Sequence, residues 1–196
     1  RLRARSGQFF TWRFLTRDHW WEAHPFSLSA APDGRRLRIT VKGVGGYTAS
    51  LRGLSPGTRV VAEGPFGAFT AAARRRRRVL LIAGGVGITP IRALLEDMPA
   101  TPGDITVVYR APGEADVILR DELDELARRR GAELHYVLGE RDGDLLSPAH
   151  LRELVPDIAE RDVYVCGPPA MTAATRASLD SSGVPGRHIV TERFAY

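Results

Sequence analysis

The sequence predicts a small antiparallel β-barrel over residues 1–73, followed by an α/β unit with a five-stranded parallel sheet over residues 74–196. Three observations carry that expectation. From residue 7 to about 70, short apolar segments alternate with turn residues. From residue 79 onward, apolar runs of buried-strand type alternate with helical stretches, the pattern of a parallel sheet covered on both faces. Between the two lies the run Arg74 to Arg78, which reads as a solvated linker, and the boundary is expected within residues 71–78.

In the first unit the expected strands are "GQFFTWRFL", "HPFSLS", "LRITVKG" and "TRVVAEG", broken by the turns Pro32-Asp33-Gly34 and Ser55-Pro56-Gly57. Within "LRITVK", Leu37, Ile39 and Val41 alternate with Arg38, Thr40 and Lys42, the period of a strand with one buried face. In the second unit "VLLIAGG", "ITVVYR", "ELHYVLG", "DVYVCG" and "HIVTERF" read as strands. Between them, "LRDELDELARRR" places Leu119, Leu123, Leu126 and Ala127 on one helical stripe. Ser147-Pro148 and Pro168-Pro169 read as helix starts, since proline is tolerated in a first turn.

A chain of 196 residues with 43% hydrophobic and 26% charged residues can bury a sizeable core and has the composition of an ordinary folded protein. No run of eighteen apolar residues occurs, and five arginines fall in the first twenty positions, so neither a membrane span nor a signal peptide is visible. Cys166 is the single cysteine, which excludes an internal disulfide. His19, His24, His135, His150 and His188 lack ligand spacing, and no metal site is expected. The net charge of +5 suits an anionic cofactor, an acidic partner or a lipid surface without choosing among them. Lys42 is the only lysine beside 27 arginines, so arginine abundance by itself says little. The Arg74–Arg78 run also lacks interleaved aromatics, and no nucleic-acid partner is expected.

The segment "AGGVGITPI", residues 83–91, carries the chemistry. A buried strand runs into Gly84, Gly85, Val86 and Gly87, and a helix follows from near Ile88, with Thr89 and Pro90 in its first turn. Such a turn presents free backbone N–H groups and a positive dipole end to an anion, and glycines let a phosphate approach closely. Alone it also admits the reading of a tight turn without a ligand. It departs from the dinucleotide pattern GxGxxG, since Pro90 stands where the third glycine would be. It lacks the Gly-Lys-Ser/Thr of a P-loop. The second strand of the unit ends in Arg110, where an acidic residue would meet a ribose hydroxyl. A basic residue there suits a 2′-phosphate, so NADPH is favoured over NADH, with Arg120 and Arg141 as further candidates; each of these arginines also reads as plain surface charge.

The order "HPFSLS", "GGYT", "GPFG", "GGVGITP", "CGPPAM" and terminal "ERFAY" resembles the ferredoxin–NADP⁺ reductase superfamily, closest to the dehydrogenase domain of NADPH oxidases and ferric reductases. The resemblance implies an FAD-binding barrel and an NADP-binding α/β domain, with hydride passing from NADPH to FAD. From His24, Pro25, Phe26, Ser27, Leu28 and Ser29 it implies a flavin wall, with Phe26 along the ring and ribityl chain and Ser27 near the flavin N5. The arginine that most members carry in that motif is absent, and Lys42 is the candidate cation for the FAD pyrophosphate. Read from the residues alone, Lys42 is equally an ordinary exposed strand residue. Gly45, Gly46, Tyr47 and Thr48 match the family's phosphate turn, and Gly64 to Gly67 the segment that closes the barrel beside the flavin.

By the same resemblance Cys166 lies near the nicotinamide C4, with Gly167, Pro168 and Met171 on the far side of the nucleotide crevice and Thr89 facing from the other strand. Hydride transfer needs position rather than acid–base chemistry, so Cys166 is not read as a nucleophile. Glu192 is the expected polar neighbour of the flavin N5, and Phe194 the aromatic that shields the flavin. The family's barrel normally begins upstream of "GQF", so the barrel is expected to be incomplete at its N-terminus. The implied acceptor is the haem of a ferric reductase-like membrane domain, or ferric iron. The alternatives are a soluble ferredoxin-like iron–sulfur partner, or a nucleotide-binding regulatory module without turnover. Expected locations are the cytoplasmic side of a membrane, reached through the missing N-terminal region, or the cytoplasm.

Overall fold

The computed structural model describes residues 3–139 and 145–193. In the first unit, strands β1 (Phe9–Phe14), β2 (His24–Ser27) and β3 (Val60–Phe66) form an antiparallel sheet in the order β2-β1-β3, with a short helix α1 (Gly46–Ser50) between the second and third. Alternation along β1 puts Phe10, Trp12 and Phe14 on one buried face, where they pack with Leu28. Every residue of β3 is exposed, so this strand is the outer edge of the sheet among the described residues.

The expected strand over residues 37–42 does not form; only an isolated bridge joins Leu28 to Ile39. Its apolar face is real, since Leu37 and Ile39 pack against the Phe10–Trp12 cluster. The ladder fails because the middle residue, Arg38, turns its guanidinium to the Ser29 carbonyl (2.6 Å) and to Glu122 (2.9 Å). Likewise "HPFSLS" is a strand only as far as Ser27, after which Leu28 and Ser29 turn into the interior.

The second unit runs β4 (Val79–Gly84), α2 (Ile88–Asp97), β5 (Ile105–Ala111), α3 (Arg120–Arg130), β6 (Glu133–Leu138), α4 (Pro148–Leu154), β7 (Asp162–Gly167), α5 (Pro169–Ser181) and β8 (Ile189–Arg193). Its five strands are parallel in the order β6-β5-β4-β7-β8, as the alternation of apolar runs and helices predicts. All residues of β4 and β7 are buried, which fits strands covered on both faces. Each aliphatic side chain so buried contributes roughly 1.5–3 kcal/mol. Ser147 caps α4, its hydroxyl accepting from the His150 N–H. Leu119 does not belong to the α3 stripe: it has a left-handed φ of 59° at the N-cap, while Leu123, Leu126 and Ala127 are buried. It still packs against the same cluster from outside the helix.

The arginine run is not a solvated linker. It crosses the amino-terminal edge of the parallel sheet, and its polar groups are taken up there. The N–H groups of Arg75 and Arg76 donate to Asp162 Oδ2 at 2.5 and 2.6 Å. The Arg76 guanidinium donates to the Ala159 carbonyl (2.6 Å), and the Arg74 guanidinium donates to the carbonyls of Arg76, Arg77 and Pro99. Arg77 pairs with Asp104 and Arg78 with Asp157. Like charges in a row tolerate one another because the guanidinium groups of Arg74, Arg76, Arg77 and Arg78 each have their own counter-ion or carbonyl.

Candidate active site

A pocket of about 400 Å³ is shared by the two units at the carboxyl edge of the parallel sheet. The first unit contributes His24, Pro25, Phe26, Ser27, Thr40, Val41, Lys42 and the turn of Val44, Gly45, Gly46, Tyr47 and Thr48; the second contributes Val86 and Thr89. Residues far apart in sequence thus meet at one wall, where open α/β sheets receive ligands.

The turn at Gly45 and Gly46 has open space where a Cβ would stand, so a ligand can approach its backbone. Thr48 is already engaged: its hydroxyl accepts from the N–H groups of Val44 (2.9 Å) and Gly45 (3.1 Å) and donates to the Gly45 carbonyl. It therefore braces the turn from within rather than reaching for phosphate oxygens. Tyr47 stacks on His24 with ring centroids 3.9 Å apart and meets His19 edge-on at 5.2 Å. Its hydroxyl is buried without a hydrogen-bond partner. Lys42 Nζ lies 3.6 Å from Asp116, in the segment after β5, so the candidate cation faces an acid of the other unit.

In the glycine turn the three glycines have different reasons. Gly85 has φ 54° and open space beyond its Cα, which leaves its backbone accessible to a ligand. A Cβ on Gly87 would fall 2.1 Å from the Cys166 carbonyl oxygen, and one on Gly84 would fall 2.2 Å from Met171 Sδ. Those two let β4, the turn and the start of α5 close on one another. Gly167, Pro168 and Met171 are the other side of that contact, and Pro90 is buried in the first turn of α2. Tyr109, which sequence reasoning did not single out, holds the turn from below: its hydroxyl donates to the Gly85 carbonyl at 3.1 Å and accepts from the Ile118 N–H. Burial pushes its phenol up to about 12, so it stays protonated. The Thr89 hydroxyl donates to the Val86 carbonyl at 3.0 Å and is nearly buried.

Strand register places Cys166 between Ala83 of β4 and Glu192 of β8. Burial, with the Glu192 charge adding to it, pushes the Cys166 thiol well above its ordinary value, so the sulfur is an uncharged packing group. Burial also raises the Glu192 carboxyl to about 7. Ser27 offsets a part of that rise, though its buried Oγ makes no bond of ordinary hydrogen-bond geometry. A Cβ on Gly67 would lie 3.6 Å from Glu192 Oε2, which puts the "GPFG" segment beside β8. Because the folded-state value lies above the unfolded one, the protonated form is favoured on folding, and stability is lost as pH rises through about 7. Glu192→Gln is accordingly expected to stabilise the apoprotein more at pH 8 than at pH 5, by up to about 2 kcal/mol, read from urea unfolding at the two pH values.

Arg110, the penultimate residue of β5, stands directly opposite Gly84, at the edge of the glycine turn. Arg120 is committed elsewhere, paired with Glu114 and lying over the Tyr136 ring at 4.1 Å. Arg141 and Phe194 lie outside the described residues. Leu28 belongs to the barrel core rather than the pocket, and Ser29 is fully buried behind it. The Ser29 hydroxyl accepts from Thr40 Oγ1 (2.9 Å) and from Arg38 (3.2 Å).

A family profile described as "Oxidoreductase NAD-binding domain" matches residues 81–177. The chain is 31% identical over 187 residues to "Ferredoxin--NADP reductase B" of Sorangium cellulosum, covering 86% of this chain and 77% of that protein. It is 34% identical over 195 residues to the "Flavohemoprotein" of Pseudomonas putida, covering 94% of this chain and 49% of that protein. Against the ferredoxin reductase component of a 3-ketosteroid-9-alpha-monooxygenase from Mycolicibacterium smegmatis it is 34% identical, covering 99% of this chain and 56% of that protein. The chain thus spans about half the length of most curated relatives it matches. Among solved structures, the flavohem-like FAD/NAD-binding domain of nitric oxide dioxygenase from Vibrio cholerae superposes with a TM-score of 0.81 at 25% identity, over 98% of this chain and 86% of that one.

Proposed function

This chain belongs to the ferredoxin–NADP reductase family of FAD- and NAD(P)-binding oxidoreductases, and from that membership we propose that it takes electrons from NADPH onto FAD in the shared pocket and passes them singly to a haem or iron–sulfur acceptor. The observation that carries this reading is the pocket itself, in which Ser27, the Gly45–Gly46 turn, Val86 and Thr89 meet. Its residues fit a flavin: Phe26, Pro25 and Val41 supply an apolar wall, and the buried hydroxyls of Ser27 and Tyr47 are without partners among the described residues.

Bound FAD supplies a carrier that accepts two electrons together and releases them one at a time. The chain's own residues do the rest. The turn that Thr48 braces would receive the FAD phosphates at its open Gly46 side, with Lys42 turning to them from Asp116, and the turn at Gly85 would receive those of the nicotinamide nucleotide. Ser27 presents a small hydroxyl where a larger group would block approach, and Thr89 bounds the pocket from the other unit. With its carboxyl raised to about 7, Glu192 can hold or release a proton near Ser27 at neutral pH. Phe194 is proposed as the aromatic cover. The two units, residues 1–73 and 74–196, are proposed as the FAD-binding and NADP-binding domains.

Anaerobic mixing of FAD-loaded protein with NADPH is expected to bleach the flavin absorbance at roughly 450 nm. An unchanged spectrum overturns the activity. Preference for NADPH is proposed to rest on Arg110, which stands opposite Gly84 at the glycine turn. Arg110→Ala is expected to raise KM for NADPH roughly tenfold and to leave KM for NADH nearly unchanged, as for loss of one charge-assisted bond. Equal effects on the two nucleotides remove Arg110 from phosphate recognition.

The acceptor is proposed from the relatives, whose names include ferredoxin reductases and a flavohaemoprotein. A ferric reductase-like membrane domain is one form of such an acceptor, and a cytoplasmic setting beside or away from a membrane follows from it. No helix of the described residues is long and apolar enough to cross a membrane.

A further inference from the structure

We propose that Arg92 is a positioning residue that fixes the spacing between the two walls of the pocket, the one carrying Ser27 and the one carrying Thr89. The inference rests on the reading that flavin and nicotinamide share this pocket. Arg92 stands one helical turn after Thr89 on α2 and is only 6% exposed. A buried guanidinium is costly unless its donors are met, and here two acids of its own unit and one carbonyl across the junction meet them. Nη1 donates to the Ser29 carbonyl (3.1 Å) and to Glu96 (2.6 Å), and Nε donates to Glu122 (2.8 Å).

The first unit answers with its own set. The Ser29 carbonyl, two residues past Ser27, also accepts from Arg38, and the same Glu122 oxygen accepts from both arginines. The Ala31 N–H donates to Glu96 Oε2 at 2.7 Å. Burial alone would raise the Glu96 carboxyl, but the Ala31 bond and the Arg92 charge overcome it and hold the group below its ordinary value. Thr40, itself a pocket residue, bonds to the Ser29 hydroxyl. Two cations and two anions thus tie α2, α3 and the segment after Ser27 into one charge-neutral clamp. An apolar contact of similar size would hold the units together as firmly but would let them slide; directional bonds fix distance and orientation.

The test compares FAD-loaded wild type with Arg92→Met and Arg92→Lys. Without nicotinamide, Arg92→Met is expected to speed amide hydrogen exchange at Ala31 and its neighbours. In anaerobic single turnovers it is expected to lower the limiting rate of flavin reduction about tenfold while changing the apparent Kd for NADPH less than about twofold. Arg92→Lys, which keeps the charge but not the fork, is expected to recover part of both. Wild-type exchange and wild-type limiting rate, with only the unfolding midpoint lowered, overturn the proposal. If Arg92→Met does not fold, Arg38→Met reads the same clamp from the other side: partial loss of rate and faster exchange support it, and wild-type values of both overturn it. A wild-type flavin that NADPH leaves oxidised overturns the functional reading instead, and the exchange comparison then decides the clamp alone.

Discussion

Asp162→Ala is expected to lower the unfolding free energy by about 3–5 kcal/mol, the range for removing one partner from a buried charged pair. Asp162 begins β7 and is 1% exposed. One carboxylate oxygen accepts the N–H groups of Arg75 and Arg76, and the other meets His188 Nδ1 at 2.7 Å, just before β8. Three elements from distant parts of the chain therefore depend on this side chain. Alanine leaves the part-buried N–H groups of Arg75 and Arg76 and a buried His188 ring nitrogen without this partner, each unmet donor costing about 1–3 kcal/mol before relaxation. Asp162→Asn keeps an oxygen for the two N–H groups, and its amide can face a neutral His188 ring in the other tautomer, so a loss of about 1–2 kcal/mol is expected. Urea unfolding at neutral pH distinguishes them. An alanine variant within about 1 kcal/mol of wild type would show that water replaces the carboxylate.

Ser27→Ala is expected to slow reduction of bound FAD by NADPH about 100-fold, the lower end of what one preorganised donor contributes to a reaction. The same substitution is expected to leave the apoprotein as stable as before or slightly more so. The reason is the state of the hydroxyl: Ser27 is 4% exposed and its Oγ has no hydrogen-bond partner. Burying an unmet hydroxyl costs free energy, so its removal takes no hydrogen bond of ordinary geometry from the fold, only its weak hold on the Glu192 carboxylate. Stopped-flow absorbance and thermal unfolding of the same preparation give the pair of values. A destabilised variant that still reduces flavin at the wild-type rate would make Ser27 a structural residue with no part in the chemistry.

Local patterns made most elements legible before any coordinates. The central strands β4 and β7 are apolar runs that stay buried on both faces, so sequence and burial coincide from Val79 to Gly84 and from Asp162 to Gly167. Ser147-Pro148 and Pro169 start helices because capping and a fixed φ act within one turn. Leu37 to Lys42 has the alternation of a strand but lacks its ladder, because a strand needs a neighbour and Arg38 is drawn to Ser29 and Glu122 instead. The arginine run misleads for a similar reason: a row of like charges reads as solvated until Asp162, Asp104 and Asp157 are seen to receive it.

By itself, the sequence determined the class of each unit and the turn at Gly85, because these follow from period and backbone freedom, while the flavin residues were legible only through the family resemblance of their motifs. Only the tertiary structure decided that Gly87 is small for Cys166 and Gly84 for Met171, and that Arg92 reaches Ser29 and Glu122 reaches Arg38 across the two units. Those facts depend on which atoms arrive beside one another from positions 30 to 90 residues apart, such as Ser29 and Arg92. Burial of such groups, and with it the protonation of Glu192 and Cys166, is a property of the assembled fold and not of any segment.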